Sequence, residues 1–257
     1  SLERNILRCR QTAKCFDDFK VFIYENDSTD KTKDILNSYK NEKLNFVSET
    51  RQDKDYIDKV ETKEDPFHYH RCCVLADCRN KYVDYILENK INEEYDYICV
   101  IDFDIAGGWS YEGFYHSIYL LESQENIAAT TAYGVVADPS QSLDLEDVNH
   151  KKYWMYDTFA FRPINLKHRI HKNFTAKFNM INFNRGEDAI EVQSNFNGLG
   201  IYKSKYFKHK YKAQQWEHGF VDPDHVHFHE NIRKDGGRIL LNPSLLVSYS
   251  KHKYCKT

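Results

Sequence analysis

The sequence predicts an α/β fold, a central mixed sheet flanked by helices in a single domain, and three stretches predict it. Phe19 to Tyr24 is short and apolar, and it leads through a polar loop, Glu25 to Thr32, into a helical segment and a second strand, Leu44 to Val47. Nucleotide-binding α/β sheets begin with this β-loop-α-β order. Tyr97 to Ile101 is an apolar run that reads as a strand buried on both faces, and it ends in Asp102-Phe103-Asp104-Ile105-Ala106-Gly107-Gly108. Ser194 to Tyr202 carries Gly198 and Gly200 and leads into a strand, a pattern that suggests close approach of the backbone to a ligand.

Apolar spacing sets the other elements. Leu2, Ile6, Leu7 and Ala13 recur at helical spacing, so residues 1–16 read as a helix. Asp30 is the expected N-cap of a helix running to Tyr39. The loop before it has neither Gly-x-Gly-x-x-Gly nor the P-loop lysine pattern, which argues against dinucleotide folds and P-loop NTPases. Residues 48–66 are highly charged and read as surface loop. His68 to Asn89 reads as a helix with an apolar stripe of Cys72, Leu75, Ala76, Tyr82, Val83, Ile86 and Leu87, and Arg79 falls in the middle of that stripe. A buried arginine is costly without anionic partners. Arg79 therefore either reaches a phosphate or catalytic carboxylate at the sheet edge or makes a structural ion pair. Tyr111 to Ser123 reads as a helix, Ile127 to Tyr133 as a strand, 138–152 as a loop or lid, and Tyr156 to Arg162 as a strand. Residues 163–192 read as a long irregular insertion of the kind that often serves function. Arg238 to Leu241 and Leu245 to Tyr249 read as two closing strands around Asn242-Pro243. No internal repeat and no domain linker is visible.

The bulk properties narrow the function. The chain has 257 residues, enough for one large α/β domain, and its net charge of −3 gives no basic footprint for nucleic acid. No apolar run approaches the ~18 residues of a membrane span, and no signal peptide opens the sequence. The expectation is a cytoplasmic protein, or one of the Golgi lumen if the sequence is a trimmed piece. The cysteines are seven, an odd number, with Cys72 and Cys73 adjacent and no Cys-x-x-Cys pair, which argues for reduced thiols over disulfides or structural zinc. Two glycosylation sequons, at Asn26 and Asn173, are short enough to arise by chance.

The chemistry concentrates at the end of the Tyr97 strand. If the strand continues, side-chain alternation points Asp102 and Asp104 the same way. Two carboxylates converging at the C-terminal end of a strand lie where open α/β sheets place ligands. Their mutual repulsion favours a cation beside them, and oxygen ligands suit Mg²⁺ or Mn²⁺. Gly107 and Gly108 allow a sharp turn and close approach to a ligand. His225, His227 and His229 alternate. On a strand all three share a face and suit a metal, whereas on a helix only His225 and His229 pair. One of these histidines joining Asp104 around one ion, through His225 or His227, is the metal reading. Asp224, just before them, is the candidate acid/base or acceptor-orienting carboxylate.

Six segments, in order, carry a resemblance. They are Ile23-Tyr24-Glu25-Asn26-Asp27-Ser28-x-Asp30-x-Thr32, Leu75-Ala76-x-x-Arg79-Asn80, Asp102-Phe103-Asp104-x-x-Gly107-Gly108, Asn197-Gly198-Leu199-Gly200-Ile201-Tyr202, Asp224-His225-Val226-x-Phe228-His229 and Asn242-Pro243-Ser244-Leu245. Over about residues 20 to 250 the chain resembles GT-A fold glycosyltransferases of the fungal capsule-associated (CAP59-like) mannosyltransferase type and related enzymes of large DNA viruses. The resemblance implies a GT-A, Rossmann-like sheet, with residues 1–133 as the nucleotide-binding half and 134–257 as the half that completes the acceptor and metal sites. It implies a Mn²⁺- or Mg²⁺-dependent enzyme that moves a hexose from a nucleotide-diphospho-sugar, GDP-mannose or a UDP-sugar, to a glycan or protein-linked acceptor. Asp104 would hold the metal, and Asp102 the metal or the ribose. Glu25 and Asn26 would meet the nucleoside, Arg79 would help position the nucleotide, and Gly198 would line the donor site. A viral relative would act in the host cytoplasm. Where such families show Glu-His, this chain has Asp224-His225, which keeps the carboxylate but shortens it.

Three other readings compete. A metal-dependent hydrolase would use the His225/His227/His229 cluster and leaves the Asp-x-Asp unexplained. A nucleotidyltransferase needs a glycine-rich basic loop after the first strand, and Glu25 to Thr32 has no glycine. A non-catalytic sugar-binding module would not need intact carboxylates.

Overall fold

The computed structural model describes residues 1–51, 69–137, 153–165, 183–216 and 221–249. The charged loop, the 138–152 lid, the middle of the 163–192 insertion, the Asn173 sequon and the Glu217-His218 pair lie outside these residues. In chain order the elements that matter are α1 (Leu2–Thr12), β1 (Val21–Asn26), α2 (Thr32–Tyr39), β2 (Leu44–Glu49), α3 (Tyr69–Glu88), α4 (Ile91–Glu94), β3 (Tyr97–Ile101), β4 (Gly108–Trp109), α5 (Tyr111–Ser123) and β5 (Ile127–Ala137). They continue with β6 (Tyr153–Met155), β7 (Arg162–Pro163), β8 (Ile190–Ser194), β9 (Leu199–Lys203), β10 (Gln214–Gln215), β11 (Val221–Asp222), α6 (Asp224–Lys234) and β12 (Arg238–Ser248).

The expected mixed α/β architecture is present. The main sheet runs β3-β9-β5-β12-β8-β7, with β4 on β12 and β6 on β5. β5 and β12 are parallel, and β3/β9, β5/β9 and β8/β12 are antiparallel. β1 and β2 pair in parallel, Val21 opposite Leu44 through Asn26 opposite Glu49, as a separate two-stranded sheet. Helices cover both faces of the main sheet. Val83 and Ile86 of α3 and Phe228 and Ile232 of α6 pack on Ile98, Tyr202, Val192 and Leu241. Phe114 and Leu121 of α5 pack with Trp109 on Ile127, Ile201, Leu240 and Val247. Each such side chain taken fully out of water contributes about 1.5–3 kcal/mol before the entropy of ordering is set against it. Among the described residues no helix is long and apolar enough to cross a membrane.

Three expectations need correction. β3 is not fully buried on both faces: Ile98 and Val100 are buried, whereas on the opposite face Cys99 is exposed and Tyr97 and Ile101 are only partly covered by the core on the α5 side. The stretch from Tyr156 to Phe161 is irregular, and only Arg162 and Pro163 pair as strand; part of the supposed insertion is instead β8, a central-sheet neighbour of β12. Finally, the two closing strands are one. β12 runs through Asn242-Pro243 by bulging: Asn242 pairs with Ala132, and Leu246 pairs with the next residue, Tyr133. The three extra residues invert side-chain parity, so Ile239 and Leu241 face α3 and α6 while Leu245 and Val247 face α5. Pro243 sits where the ladder asks for no donor. Asn242 fills the bulge: its Nδ2 donates to Ser117 Oγ at 2.8 Å, and its Oδ1 accepts from Ser244 N at 3.0 Å.

Candidate active site

The site forms where the end of β3, the start of α6 and the middle of α3 meet. β3 stops at Ile101 and residues 103 and 104 form a turn, so strand alternation does not orient the two carboxylates. Asp102 N donates to Gly198 O at 2.9 Å, which ties this end to the turn before β9. Phe103 packs towards α1, α2 and β1, and its carbonyl accepts from Asn5 Nδ2 at 2.9 Å. Asp104 is exposed. Gly107 and Gly108 make room for the chain's own side chains, and Gly108, at φ +75°, takes the turn. A Cβ on Gly107 would lie 2.3 Å from Ser248 Cβ, and one on Gly108 2.8 Å from Arg8.

Arg79 is the hub. Its place in the apolar stripe of α3 aims it at the sheet end, where Nη1 lies 3.3 Å from Asp102 Oδ1 and Nε 2.6 Å from Asp224 Oδ2. The second contact is a close charge pair without aligned hydrogen-bond geometry. Phe196 and Tyr211 flank the guanidinium, with ring centroids at 5.0 and 5.9 Å. Asp224 is the first residue of α6 after Pro223, its side chain only 4% exposed, and the helix N-terminus favours its charge. The two readings of Arg79 therefore merge, since its anionic partners, Asp102 and Asp224, are two of the carboxylates singled out for chemistry.

Sequence reasoning missed a third carboxylate in this charge field. Asp157 Oδ1 accepts from Phe159 N at 3.1 Å and Ala160 N at 3.2 Å, and its own N–H donates to Asn197 Oδ1 at 2.9 Å. This Asx turn, an Asp capping the amides two and three residues on, is the signal that could have separated it from a strand. Burial pushes the Asp157 carboxyl up, and Asp224 adds to the push while Arg79 opposes it. Burial likewise raises Asp102 to about 6, against the pull of Arg79, with Asp104, Asp157 and Asp224 pushing the same way as burial. Asp102, Asp157 and Asp224 thus act with the Arg79 guanidinium, and Asp104 adds to the push on Asp102.

The other expected residues divide. Glu25 lies at the end of β1: burial raises its pKa, but bonds from Ser48 Oγ and Ser28 N outweigh that and hold it below the usual range. Asn26 Oδ1 lies 3.9 Å from Cys78 Sγ, one residue before Arg79, so α3 connects the β1 end to the carboxylates. Gly198 has φ +84° and follows Asn197 at φ +53°, the two central residues of a turn closed by Leu199 N to Phe196 O at 3.3 Å. A Cβ at Gly198 would lie 1.9 Å from Tyr249 Oη, so this glycine makes room for a tyrosine of the chain itself.

The histidines lie on a helix, α6, and this removes the shared-face arrangement. His227 turns towards Glu230, 3.7 Å away, with Lys212, Lys234 and His209 around it. His229 is fully buried between Ser194 Oγ at 3.0 Å and Tyr202 Oη at 2.9 Å, and burial pushes it down to about 3. His225 is buried against Phe196, ring centroids 3.8 Å apart, and burial with Arg79 nearby drives its pKa well down. Both of its ring nitrogens lack a hydrogen-bond partner. Among the described residues no three His, Cys, Asp or Glu side chains group as a metal-ligand set, so neither the three histidines nor His227 with the carboxylates forms one.

No curated protein matches the chain. A solved structure titled "Crystal Structure of A197 from STIV" aligns over 88% of this chain and 83% of that one, at 12% identity and a TM-score of 0.36. The family model described as Cryptococcal mannosyltransferase 1 matches residues 11–236, which span β1 through α6 and every residue of the carboxylate–arginine centre. The chain belongs to that mannosyltransferase family, a family of glycosyltransferases.

Proposed function

We propose that this protein is a GT-A type hexosyltransferase that uses a nucleotide-diphospho-sugar donor and a divalent cation, Mn²⁺ or Mg²⁺. The observation that supports it most is the gathering of carboxylates at the end of β3, where burial, reinforced by Asp104, Asp157 and Asp224, raises Asp102 to about 6 against the pull of Arg79. A set of carboxylate oxygens fits a hard cation. Because the carboxylates interact through charge and do not share one ligand position, such an ion would take one or two of them and complete its shell with water and phosphate, as Mg²⁺ characteristically does. Asp104, exposed, and Asp102 are the residues that would hold it. When bound it would supply Lewis-acid stabilisation of a diphosphate leaving group.

The protein's own residues have separable tasks in this reading. Glu25 and Asn26 bind the nucleoside at the β1 end. Arg79 adds fixed positive charge beside the departing phosphates, and its flanking rings and paired carboxylates hold its orientation before substrate arrives. Asp224 is the carboxylate for the acceptor hydroxyl, and the Arg79 contact at 2.6 Å balances its charge in a nearly water-free position. GDP-mannose is the first donor to test, by the family, and UDP-sugars the second.

The test is a thermal-shift panel of UDP, GDP, CDP and dTDP, with and without Mn²⁺, on wild type and Asp104→Ala. A ligand at ~100 times its Kd stabilises the fold by about 2.7 kcal/mol. The expected outcome is one nucleotide that stabilises only with Mn²⁺ and only with Asp104 intact. Stabilisation by Zn²⁺ alone, with no nucleotide effect, would refute the proposal.

A further inference from the structure

Two tyrosines beside the carboxylates form a feature that the site as described does not use. Tyr156 and Tyr249 stack face to face, centroids 3.5 Å apart and planes 12° from parallel. The stack is built from both sides of β5. Tyr156 N donates to Gly134 O and Tyr249 N to Val135 O, each at 2.9 Å, so consecutive residues of one strand fix the two backbones. Gly134 has no side chain where a Cβ would meet Asn197 Oδ1 at 2.7 Å, and that same Asn197 oxygen holds the backbone of Asp157. Gly198 leaves the space that Tyr249 Oη fills. One tyrosine is thus a backing plate, and the other, Tyr156, remains 46% exposed. Large apolar rings left half in water yet fixed this firmly are preorganised for contact.

The position of the ring says what it would meet. Tyr156 directly precedes Asp157 and stacks on Tyr249, whose Oη sits at Gly198, the residue hydrogen-bonded to Asp102 N; it feels the charges of Asp104, Asp157 and Asp102, with Arg71 opposing them, so it borders the carboxylates. The groups around the end of β1 are a different set: Tyr24 interacts with Arg51, Glu49 and Cys78, and Glu25 with Ser48, Ser28 and Lys33. A nucleobase at Glu25 and Asn26 would therefore meet groups other than those around Tyr156. What lies next to carboxylates that accept hydroxyl hydrogens, against a bare aromatic face, is a ring with C–H bonds on one side and hydroxyls at its rim.

We propose that the outer face of Tyr156 is a hexose-binding platform, stacking on the C–H face of a pyranose while Asp157 and its neighbouring carboxylates accept from the hydroxyls. This rests on the glycosyltransferase reading and deepens it. The hexose is either the one on the donor or the one that receives it, and the chemistry is the same.

The experiment is saturation-transfer NMR with methyl α-mannopyranoside and methyl α-glucopyranoside as probes, on wild type, Tyr156→Phe and Tyr156→Ala, each held with GDP or UDP and Mn²⁺. Wild type and Tyr156→Phe should pass saturation from aromatic protons to the sugar ring C–H protons, and Tyr156→Ala should bind at least about tenfold more weakly, while the nucleotide-induced thermal shift stays that of wild type. Replacing GDP by GDP-mannose, or UDP by UDP-glucose, separates the sources: loss of the probe signal assigns the platform to the donor hexose, and its persistence assigns it to the acceptor. Equal sugar binding by Tyr156→Ala, or no saturation transfer to either sugar in wild type, overturns the platform. Loss of the nucleotide shift in Tyr156→Ala overturns it too, by placing the ring on the base. Failure of the wild type to respond to any nucleotide counts instead against the donor reading and leaves the sugar comparison to decide the platform separately.

Discussion

Asp102 shows how one residue couples folding to the site. Its carboxyl is pushed up to about 6 from 3.8, burial being the main cause. The folded state therefore binds a proton more readily than the unfolded chain between those values. Stability linked to Asp102 is present below about pH 4 and is lost as pH rises through 6. Two outcomes follow. The stability of wild type relative to Asp102→Asn, by urea unfolding, should decline from pH 4 to pH 7, and Mn²⁺-dependent nucleotide binding should weaken about tenfold per unit as pH falls below 6, since the cation must displace the proton. A pH-independent difference would mean Asp102 is not desolvated in solution. Arg79 has the opposite character. Removing it as Arg79→Ala leaves Asp224, 4% exposed, without its countercharge, and breaking a buried pair from one side costs about 3–5 kcal/mol. A loss below ~1 kcal/mol in chemical denaturation would show that water already reaches the pair.

At the scale of elements, the seam between α5 and β12 is where local preference and packing oppose each other. Gly113 lies within the first turn of α5, where Ala would raise helix propensity by up to about 1 kcal/mol. A Cβ there would lie 1.9 Å from the carbonyl oxygen of Ser244, in the bulge of β12, and 2.3 Å from Ser110 Oγ. Backbone cannot retreat as a side-chain tip can, so Gly113→Ala should destabilise by about 1–3 kcal/mol despite its propensity. A rise in Tm would disprove the close contact. The same seam explains why α3 and α5 were legible and the last strand was not. The stripe of α3 and the bounds of α5 follow from period and composition alone. Asn242-Pro243 reads as a break in any strand pattern, and only the partner Ser117 on α5 and the parallel register with β5 show the break to be a bulge. The strand reading of Tyr156 to Phe161 failed for the related reason that aromatic content counts as strand propensity, while Asp157 binding its own following amides overrides it.

At the scale of the molecule, most of the centre was legible because each part breaks the pattern around it. Asp102 closes an apolar strand, Asp224 opens a helix and Arg79 violates an apolar stripe, and each of these is a local anomaly a sequence can display. That they meet is a fact of topology: β3, β9 and the start of α6 are brought together by antiparallel pairings spanning about half the chain. Asp157, Tyr249 and the backing of Tyr156 depend wholly on such long-range pairings, so no spacing rule reveals them. The histidines show the converse, a pattern that looks like a ligand set until helix geometry and the Ser194–His229–Tyr202 bonds divert it into the core. The turn that joins these parts also sets how the protein ages. An Asn-Gly pair in a pliable chain cyclises to a succinimide and loses its side-chain amide. Asn197 is fully buried, its Nδ2 donates to Asn195 Oδ1 at 2.6 Å and its Oδ1 is held by Asp157 N. Cyclisation has to wait for this corner to open, so deamidation of Asn197 on storage is a slow chemical clock of how often the sheet and the carboxylate centre come apart together.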